Sequence, residues 1–331
     1  MIFDFTIIKK DVDGLVVYAK SVYKELVEHF PVSENLYLFR EGIGKKGVDK
    51  IKYIILHRIF GFFFSRKFYY SPTHHGPILN PNKAITIHDI TPLLHPNKSF
   101  KQFVYYRILL TLSIRNSKRI YTVSEFSKKL IIDNFGVNSS LVKVIHNGTD
   151  INLILAEPLV GVPSNYLLFV GIHSEYKNFE LCYKAIRGIS KDIPIVVVGN
   201  WFKIPLIVSN DEFVFQFSNL SYQNIRFLYE NAKGLMYAST LEGFGLPALE
   251  AARLNCPVIT SRNSPMHEFL GPLSARYVDP NSLDSIKSQI QSLLNDSELS
   301  FKLSLEAYQK TKNLTWKMHV QILANDLKTL F

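Results

Sequence analysis

The chain has 331 residues, of which 47% are apolar, 13% aromatic and 20% charged. This length is enough for two domains, and the apolar content is enough to bury a core in each, which excludes a mainly disordered protein. The two cysteines, Cys182 and Cys256, show no CxxC or Cys/His spacing, so neither a disulfide framework nor a zinc site is expected.

The net charge of +10 comes from the first half of the chain. Residues 1–150 contain 22 basic and 12 acidic side chains, whereas residues 151–331 contain 16 of each. Residues 40–70 combine eight basic residues with many isoleucines and phenylalanines, and a helix of this kind suits an anionic membrane surface. An ordinary amphipathic helix with a solvated face explains the segment equally well. Nucleic acid is not favoured as a partner, because no helix-turn-helix or RNP-like pattern accompanies the charge.

The start of the chain is expected to form a strand rather than a signal peptide, because Asp4 interrupts a region that would have to be basic. No apolar run approaches the roughly 18 residues that span a bilayer. We therefore predict a cytoplasmic protein, soluble or peripheral at the inner face of the plasma membrane.

Strand-like apolar runs alternate with segments of helical period along the first half, which predicts a parallel sheet built from βαβ units. Strands are predicted over Ile2–Ile8, Phe68–Ser71, Ala84–His88, Arg119–Val123 and Val142–His146. Helices are predicted over Leu15–Phe30, Val48–Phe64, Phe100–Asn116 and Glu125–Phe135. The last helix has clear end signals, with Ser124 as its N-cap and Gly136 as its stop.

Loop residues after Asn147 predict a linker, and a second alternation of strands and helices follows it. Strands are predicted over Tyr166–Gly171, Pro194–Gly199, Phe213–Phe217, Leu235–Ala238, Pro257–Thr260 and Ala275–Val278. Helices are predicted over Asn178–Ile189, Tyr222–Ala232, Leu246–Leu254, Leu283–Leu294, Glu298–Thr311 and Thr315–Leu330. Two Rossmann-like halves are implied, and their ligands are expected beyond the carboxyl ends of the strands, in a shared cleft.

The strongest local signal is the segment Thr240–Glu250, TLEGFGLPALE, which directly follows a predicted strand. A strand, a glycine-containing turn and a helix with Pro247 in its first turn present backbone N–H groups and a positive dipole end to an anion. Glycine also lets a ligand approach the backbone closely. The pattern predicts a phosphate or sugar site, and a bare turn with two surface glutamates is the alternative.

Several motifs in order make the chain similar to the retaining glycosyltransferases of family 4, which have the GT-B fold, and within them to O-antigen and related polysaccharide mannosyl- and rhamnosyltransferases. The resemblance is carried by Glu242 and Glu250 with GFGLP between them, and by Thr86–Pro92, Thr122–Lys128, Val144–Asp150, Tyr166–Gly171, Tyr176–Phe179, Ala251–Ser261 and Ser264–Glu268. It implies two facing Rossmann-like domains with a deep interdomain cleft. The first covers residues 1–155, with the C-terminal helix 316–331 packing back on it, and the second covers residues 156–315.

The resemblance also implies roles for individual residues. In the second domain it implies a nucleotide-sugar site made by His173 and Lys177 at the diphosphate, Glu242 near the donor sugar, the backbone of Gly243, Phe244, Gly245 and Leu246, and Glu250 at the ribose. In the first domain it implies that His88 with Asp89 contacts the donor sugar and that Gly14 lies close to the diphosphate. A capped strand end with a satisfied histidine is the alternative for His88 and Asp89.

One position departs from the family pattern, because His173 stands where an arginine is usual. A histidine of ordinary pKa is mostly neutral at pH 7 and cannot bind phosphate in a bidentate manner. Either a neighbouring residue keeps His173 protonated, or helix N–H groups contribute more of the diphosphate binding, or activity is reduced.

A metal site is not predicted. His74, His75 and His95 are the candidate metal ligands. However, adjacent histidines on an extended segment point to opposite faces, and no carboxylate lies at chelating spacing.

The predicted reaction is transfer of a hexose, with mannose or rhamnose favoured, from a nucleotide-diphosphate sugar to a hydroxyl of a lipid-linked or surface polysaccharide. Retention at the anomeric carbon is expected, with no cofactor beyond the donor substrate. A sugar-nucleotide epimerase of the same fold and a non-catalytic partner in a polysaccharide assembly complex are the alternatives.

Overall fold

The computed structural model describes residues 1–8, 14–39, 67–94, 100–172, 174–199, 208 and 210–331. The predicted helix Val48–Phe64, most of the basic segment 40–70, His95 and His173 lie outside the described residues. None of the helices that are described is long and apolar enough to cross a membrane.

The chain divides into two compact units, one made of residues 1–148 with 315–331 and the other of residues 149–314. The boundary lies earlier than the predicted residue 155, because the first linker residues are bonded to the second unit. The backbone N–H of Thr149 donates to the carbonyl of Leu314 at 3.0 Å, and the Arg253 guanidinium donates to Asn152 Oδ1 at 2.8 Å.

The first unit is built on a parallel six-stranded sheet with the order β2-β1-β3-β4-β5-β6. Its strands are β1 (Ile2–Asp4), β2 (Leu36–Leu38), β3 (Tyr69–Ser71), β4 (Lys83–Ile87), β5 (Arg119–Thr122) and β6 (Val142–Val144). Five of the six were predicted. The sequence analysis missed β2, which lies at the sheet edge with its side chains partly exposed and so lacks the apolar run of a central strand.

The helices described in this unit are α1 (Gly14–His29), α2 (Thr91–Leu94), α3 (Phe100–Val104), α4 (Thr111–Arg115), α5 (Glu125–Phe135) and α12 (Trp316–Leu327), with a π-helical turn (Tyr105–Leu110) between α3 and α4. Both end signals of α5 are confirmed. Ser124 accepts a hydrogen bond from the Ser127 N–H at 3.0 Å, and Gly136 stops the helix with a φ of 63°.

The C-terminal helix α12 packs on α1 within the first unit. Tyr18 of α1 and His319 of α12 form a buried hydrogen bond of 3.0 Å, and His319 Nδ1 lies 2.8 Å from the carbonyl oxygen of His146. Asp326 of the same helix accepts from Tyr121 at 2.8 Å and pairs with Lys143 at 2.7 Å. These polar contacts join α12 to α1, to strands β5 and β6 and to the loop that follows β6.

The second unit contains the other parallel six-stranded sheet, with the order β12-β11-β10-β7-β8-β9. Its strands are β7 (Leu167–Val170), β8 (Ile195–Val198), β9 (Val214–Phe217), β10 (Gly234–Tyr237), β11 (Val258–Ser261) and β12 (Arg276–Val278), all of which were predicted. Its described helices are α6 (Phe179–Arg187), α7 (Tyr222–Asn231), α8 (Leu246–Arg253), α9 (Met266–Leu270), α10 (Leu283–Asn295) and α11 (Ser297–Thr311). The predicted α/β fold class with two parallel sheets is confirmed.

Each sheet has one place where the strand order reverses, between β1 and β3 in the first unit and between β7 and β10 in the second. In doubly wound sheets, ligands bind beyond the carboxyl ends of the strands at this place. Lys177 follows β7 and the turn Glu242–Leu246 follows β10, so both lie at the reversal point of the second sheet.

Candidate active site

The loops that follow β7 and β10 are bonded to each other. The N–H of Thr240 donates to the carbonyl of Tyr176 at 2.8 Å, and the Asn178 side-chain amide donates to the carbonyl of Ala238 at 3.1 Å. Asn178 has a φ of 59°, a left-handed conformation that asparagine tolerates better than most residues. This backbone arrangement fixes Lys177, which ends the short 3₁₀ turn Glu175–Lys177, beside the segment that follows β10.

The Lys177 ammonium is the centre of a polar cluster, which we call the Lys177 cluster (Lys177, Tyr237 and Glu242). Its Nζ donates to Glu242 Oε1 at 2.7 Å and to the Tyr237 hydroxyl at 2.9 Å. The side chains of Lys177 and Glu242 are only 11% and 10% exposed. An ammonium has three N–H donors. Two of them bond to Glu242 and Tyr237, so the third has no acceptor among the described residues and can donate a hydrogen bond to a bound anion.

Two opposing effects act on the charge of Lys177. Burial disfavours the ammonium, but the neighbouring Tyr237 hydroxyl and Glu242 carboxylate outweigh it and hold the pKa of Lys177 above its ordinary value. The side chain therefore stays positively charged at any physiological pH, as a phosphate-binding group must.

Gly245 is required by the packing around the start of α8. It adopts a φ of 96° as the N-cap of this helix, and a Cβ atom built there would lie 2.6 Å from Met266 Sδ and 3.3 Å from Tyr237 Cε1. The turn thus touches the same tyrosine ring that holds Lys177. A larger residue at this position would clash with Met266 and press on the Tyr237 ring, so the packing between the start of α8 and the Lys177 cluster would have to change.

The other turn residues contribute in different ways. Phe244 is buried, and its ring stacks on Phe269 at a centroid distance of 4.8 Å, so only its backbone can face a ligand. Leu246 is the first residue of α8, where helix N–H groups have no partner within the helix. Gly243 lies between Glu242 and Phe244, in the turn itself.

Glu250 lies in the second turn of α8, and its carboxyl group is buried although the residue keeps some exposed surface. The Tyr229 hydroxyl donates to Glu250 Oε2 at 3.0 Å. Burial raises the pKa of Glu250 to about 7, and the bond from Tyr229 only partly opposes that shift. Glu250 therefore titrates near neutral pH and exists in both protonation states there.

This shift predicts a pH-dependent stability. The folded protein holds the Glu250 proton more tightly than the unfolded chain does, so the free energy of unfolding falls as the pH rises from the ordinary carboxyl range through about 7. Glu250→Gln keeps an acceptor for Tyr229 without the charge, and we expect it to be more stable than the wild type at about pH 8 by on the order of 1 kcal/mol and no more stable at about pH 5.

Urea unfolding of both proteins at the two pH values measures this difference. The matched control is Glu306→Gln, which changes an exposed glutamate on α11. Parallel pH profiles for the wild type and Glu250→Gln would contradict the raised pKa.

His88 directly follows β4 in the first unit. Its Nε2 lies 2.9 Å from the Pro72 carbonyl oxygen, and a carbonyl can only accept, so Nε2 carries the proton in this contact. Burial lowers the pKa of His88, with smaller opposing effects from Pro72 and Asp89. The ring is therefore neutral at pH 7, and its Nδ1 is an acceptor. It packs edge-on against the Tyr18 ring, with the two ring centroids 4.3 Å apart.

Asp89 and Gly14 lie in the same unit as His88. Asp89 Oδ1 accepts a hydrogen bond from the Thr91 N–H at 2.9 Å, which satisfies a donor at the start of α2. Gly14 is the first residue of α1, the helix that also carries Tyr18. The predicted first-domain residues thus gather around the start of α1 and the end of β4.

The expectation for the adjacent histidines was wrong. The chain bends at residues 72–74, so the rings of His74 and His75 lie side by side with centroids 4.0 Å apart rather than on opposite faces. No group of three or more His, Cys, Asp or Glu side chains able to hold a metal ion occurs in the part of the chain that the structure describes.

Sequence reasoning missed Tyr237. It ends β10 within an apolar run, which we interpreted only as strand core. Its hydroxyl could have indicated a role beyond the core, because a tyrosine in a strand buried on both faces needs a hydrogen-bond partner for that hydroxyl. In the structure that partner is Lys177.

Two family models match adjoining parts of the chain. The model described as Glycosyltransferase Family 4 matches residues 67–153, and the model described as Glycosyl transferases group 1 matches residues 154–310. Together they match more than half of the chain.

The chain is also similar to curated proteins and to solved structures. It is 32% identical over 238 residues to the O-antigen chain mannosyltransferase RfbU of Salmonella typhimurium, an alignment that covers 70% of this chain and 66% of that protein. It is 25% identical over 280 residues to the O-antigen chain mannosyltransferase B of Escherichia coli, which covers 75% and 71% of the two chains. The solved structure of Anabaena Alr3699/HepE in complex with UDP-glucose superposes with a TM-score of 0.74 at 15% identity and covers 99% of both chains.

The last likeness shows a shared fold, and the two family models together match residues 67–310. The chain therefore belongs to the family 4 glycosyltransferases of the GT-B fold.

Proposed function

We propose that the protein transfers a hexose from a nucleotide-diphosphate sugar to a hydroxyl of a lipid-linked or surface polysaccharide, with retention at the anomeric carbon. The observation that carries the proposal is the Lys177 cluster at the start of α8. A permanently charged ammonium with one remaining donor lies beside a helix N-terminus, which is the arrangement a diphosphate requires.

In the proposed step, the bond between the anomeric carbon and the β-phosphate oxygen breaks while the acceptor oxygen bonds to the same face of that carbon. The departing phosphate takes the acceptor proton. Negative charge grows on the β-phosphate as the bond breaks, and Lys177 with the backbone amides at Gly245 and Leu246 stabilises it. Glu242 acts as an anchor and not as a nucleophile in this proposal, because a same-face exchange needs no covalent intermediate; its Oε1 lies 2.7 Å from the Lys177 ammonium.

The remaining residues orient the donor in this proposal. Glu250 binds the ribose and Gly14 allows the first unit's backbone close to the diphosphate. His88 accepts a hydrogen bond from a sugar hydroxyl through Nδ1, a role that its neutral tautomer permits. Asp89 supports His88 by fixing the adjacent turn. The ammonium and the helix amides supply the charge stabilisation, so the reaction is proposed to need no cofactor besides the donor.

Mannose is the proposed sugar, because two relatives are mannosyltransferases of O-antigen chains. The structural neighbour from Anabaena holds UDP-glucose, which supports a nucleotide-diphosphate sugar as the donor class. We further propose that the protein works in the cytoplasm at the inner face of the plasma membrane, with residues 40–70 contributing membrane contact through their charge and aromatic content.

Incubation with a panel of nucleotide sugars tests the proposal. We expect nucleotide release that depends on a lipid-linked glycan acceptor, is fastest with a mannose donor, and gives a product whose anomeric configuration, read by NMR, equals that of the donor. Donor conversion without acceptor would instead indicate an epimerase. Tight binding of assembly proteins with no turnover of any donor would indicate a non-catalytic partner, and either result would overturn the proposal.

A further inference from the structure

A buried aromatic group lies behind His88 in the first unit. His88 keeps part of its surface exposed, whereas Tyr18, which packs against it, is only 1% exposed. Tyr18 lies on α1, one turn after Gly14. Two further rings meet the Tyr18 ring edge-on, Trp316 at a centroid distance of 5.7 Å and His319 at 5.2 Å. We call Tyr18, Trp316 and His319 the Tyr18 group.

Two members of the Tyr18 group come from the C-terminal helix. Trp316 and His319 are three residues apart at the start of α12, so they lie on one face of that helix. The segment after β6 packs directly on this start, because a Cβ atom built at Gly148 would lie 2.1 Å from the Thr315 carbonyl carbon and 2.3 Å from the Trp316 nitrogen. The first turn of α12 therefore has no room to move towards that segment, and His319 has a defined position beside Tyr18.

The hydrogen bonds of His319 have one consistent direction. Its Nδ1 lies 2.8 Å from the carbonyl oxygen of His146, which can only accept, so Nδ1 carries the proton. Burial lowers the pKa of His319 to about 4 and raises the pKa of Tyr18 to about 12, so both side chains are neutral at physiological pH. Nε2 of His319 is then an acceptor, and the Tyr18 hydroxyl donates to it at 3.0 Å. This bond connects α12 to α1.

The orientation of His88 depends on Tyr18. The bond from His88 Nε2 to the Pro72 carbonyl fixes one atom of the ring, but one hydrogen bond alone does not fix the plane of the ring. Edge-on contact with Tyr18 fixes that plane, and with it the direction of Nδ1. We propose that His319 is a positioning residue, which holds Tyr18 and through it the His88 ring in the orientation that sugar transfer needs. This inference rests on the proposed function, because that function places His88 at the donor sugar.

A second buried bond of α12 gives a matched comparison for a role in stability alone. The Tyr121 hydroxyl donates to Asp326 Oδ2 at 2.8 Å and ties α12 to β5. Tyr121 is as buried as Tyr18, but its ring meets Tyr70 edge-on, at a centroid distance of 6.1 Å. Tyr121→Phe therefore removes a comparable bond from α12 and leaves Tyr18 and His88 in place.

NMR of the full chain with labelled histidine tests the proposal without substrate. In the wild type, His88 should show the tautomer with the proton on Nε2, and the signal is assigned by its loss in His88→Gln. We expect His319→Phe, which keeps a ring but no acceptor, to shift the His88 nitrogen signals towards a mixture of tautomers. His319→Gln can still accept from Tyr18 through Oε1 and should resemble the wild type, as should Tyr121→Phe.

Kinetics give the second measurement. We expect His319→Phe to lower kcat by about 10–100-fold, the size of loss that follows when a group near the reacting atoms is misplaced. The Kd of the donor should change far less than kcat, because Lys177 and the start of α8 hold the diphosphate in the proposed function. His319→Gln should recover most of the turnover, and Tyr121→Phe should leave kcat unchanged.

Tyr18→Phe provides a second variant if His319→Phe does not fold. It removes the bond to His319, together with the contacts of the same hydroxyl to Tyr70 and Thr86, and keeps the ring beside His88. It should shift the His88 signals in the same direction. In the Tyr18→Phe background, the change of His319 to Phe should have little further effect, because both changes break one connection.

Four results would overturn the proposal. They are unchanged His88 signals in His319→Phe or Tyr18→Phe, an equal effect of Tyr121→Phe, a loss in His319→Gln as large as that in His319→Phe, and shifted His88 signals with unchanged kcat. The NMR measurement needs no donor. A wild type that turns over no nucleotide sugar would defeat the sugar-transfer proposal, and it is distinguishable from a His88 ring that does not respond to His319.

Discussion

Lys177→Ala is expected to lower kcat by about 10²–10³-fold, the loss typical when one preorganised donor is removed from a developing oxyanion. Lys177 has a position and a charge that no other described residue supplies at the start of α8. Its Nζ is fixed by Glu242 and Tyr237 at 2.7 and 2.9 Å before any ligand binds. Steady-state kinetics with donor and acceptor measure the effect, and calorimetry separates loss of donor affinity from loss of turnover.

A matched lysine provides the control. Lys184 on α6 also pairs with a glutamate at 2.7 Å, but that pair is about 60% exposed and both of its residues belong to α6 itself. Lys184→Ala should leave kcat unchanged. The Lys177 change also leaves the Glu242 carboxylate without its cation, so thermal unfolding must establish that the second unit remains folded at the assay temperature.

Tyr237→Phe refines the same prediction. It removes one bond to the ammonium and keeps the ion pair with Glu242, so we expect a smaller loss of kcat than in Lys177→Ala, with the protein fully folded. Turnover of Lys177→Ala within about threefold of the wild type would remove the ammonium from the chemical step.

The candidate site was predictable where its signal is local in the sequence. Glu242, the glycines and Pro247 stand within a few residues of one another, so a strand, a turn and a helix start could be inferred together. Asn255, just after the end of α8, has a φ of 53°, a left-handed conformation that asparagine tolerates better than most residues. Strands β7, β8 and β10 of the second sheet were predictable for a similar reason, because each is a mainly buried run of apolar residues.

Contacts between distant residues were not predictable from the same patterns. Nothing in the sequence pairs Tyr237 with Lys177, which lie 60 residues apart. The π-helical turn Tyr105–Leu110 has the apolar spacing of an ordinary helix, and the bend that brings His74 beside His75 depends on how the loop after β3 packs. Such features follow from packing, and packing becomes visible only when the whole sheet is assembled.

Gly245→Ala is expected to destabilise the second unit by about 2–4 kcal/mol and to weaken donor binding. A φ of 96° costs an alanine about 1 kcal/mol, and the added methyl group would lie 2.6 Å from Met266 Sδ and 2.8 Å from Met266 Cγ. Met266 is fully buried, so it cannot move away without disturbing its neighbours, and such overpacking costs about 1–3 kcal/mol.

Gly136→Ala isolates the steric part of this cost. Gly136 also has a positive φ, 63°, but no described atom lies within 4 Å of a Cβ built there. It should therefore lose only about 1 kcal/mol, the cost of the left-handed conformation. Thermal unfolding of the two variants measures the difference, and equal losses would contradict the contact with Met266.

The effect on donor binding follows from the same geometry. The methyl group of the alanine in Gly245→Ala would also lie 3.3 Å from Tyr237 Cε1, which is closer than ordinary van der Waals packing. Relief of both contacts moves the first turn of α8 relative to the Tyr237 ring, and this ring fixes the Lys177 ammonium. We therefore expect calorimetry to show weaker donor binding in Gly245→Ala and unchanged binding in Gly136→Ala. A diphosphate contacts the Lys177 ammonium and the N-terminus of α8 at the same time. A shift of one relative to the other therefore weakens both contacts, so the loss of donor affinity should exceed the contribution of either contact alone.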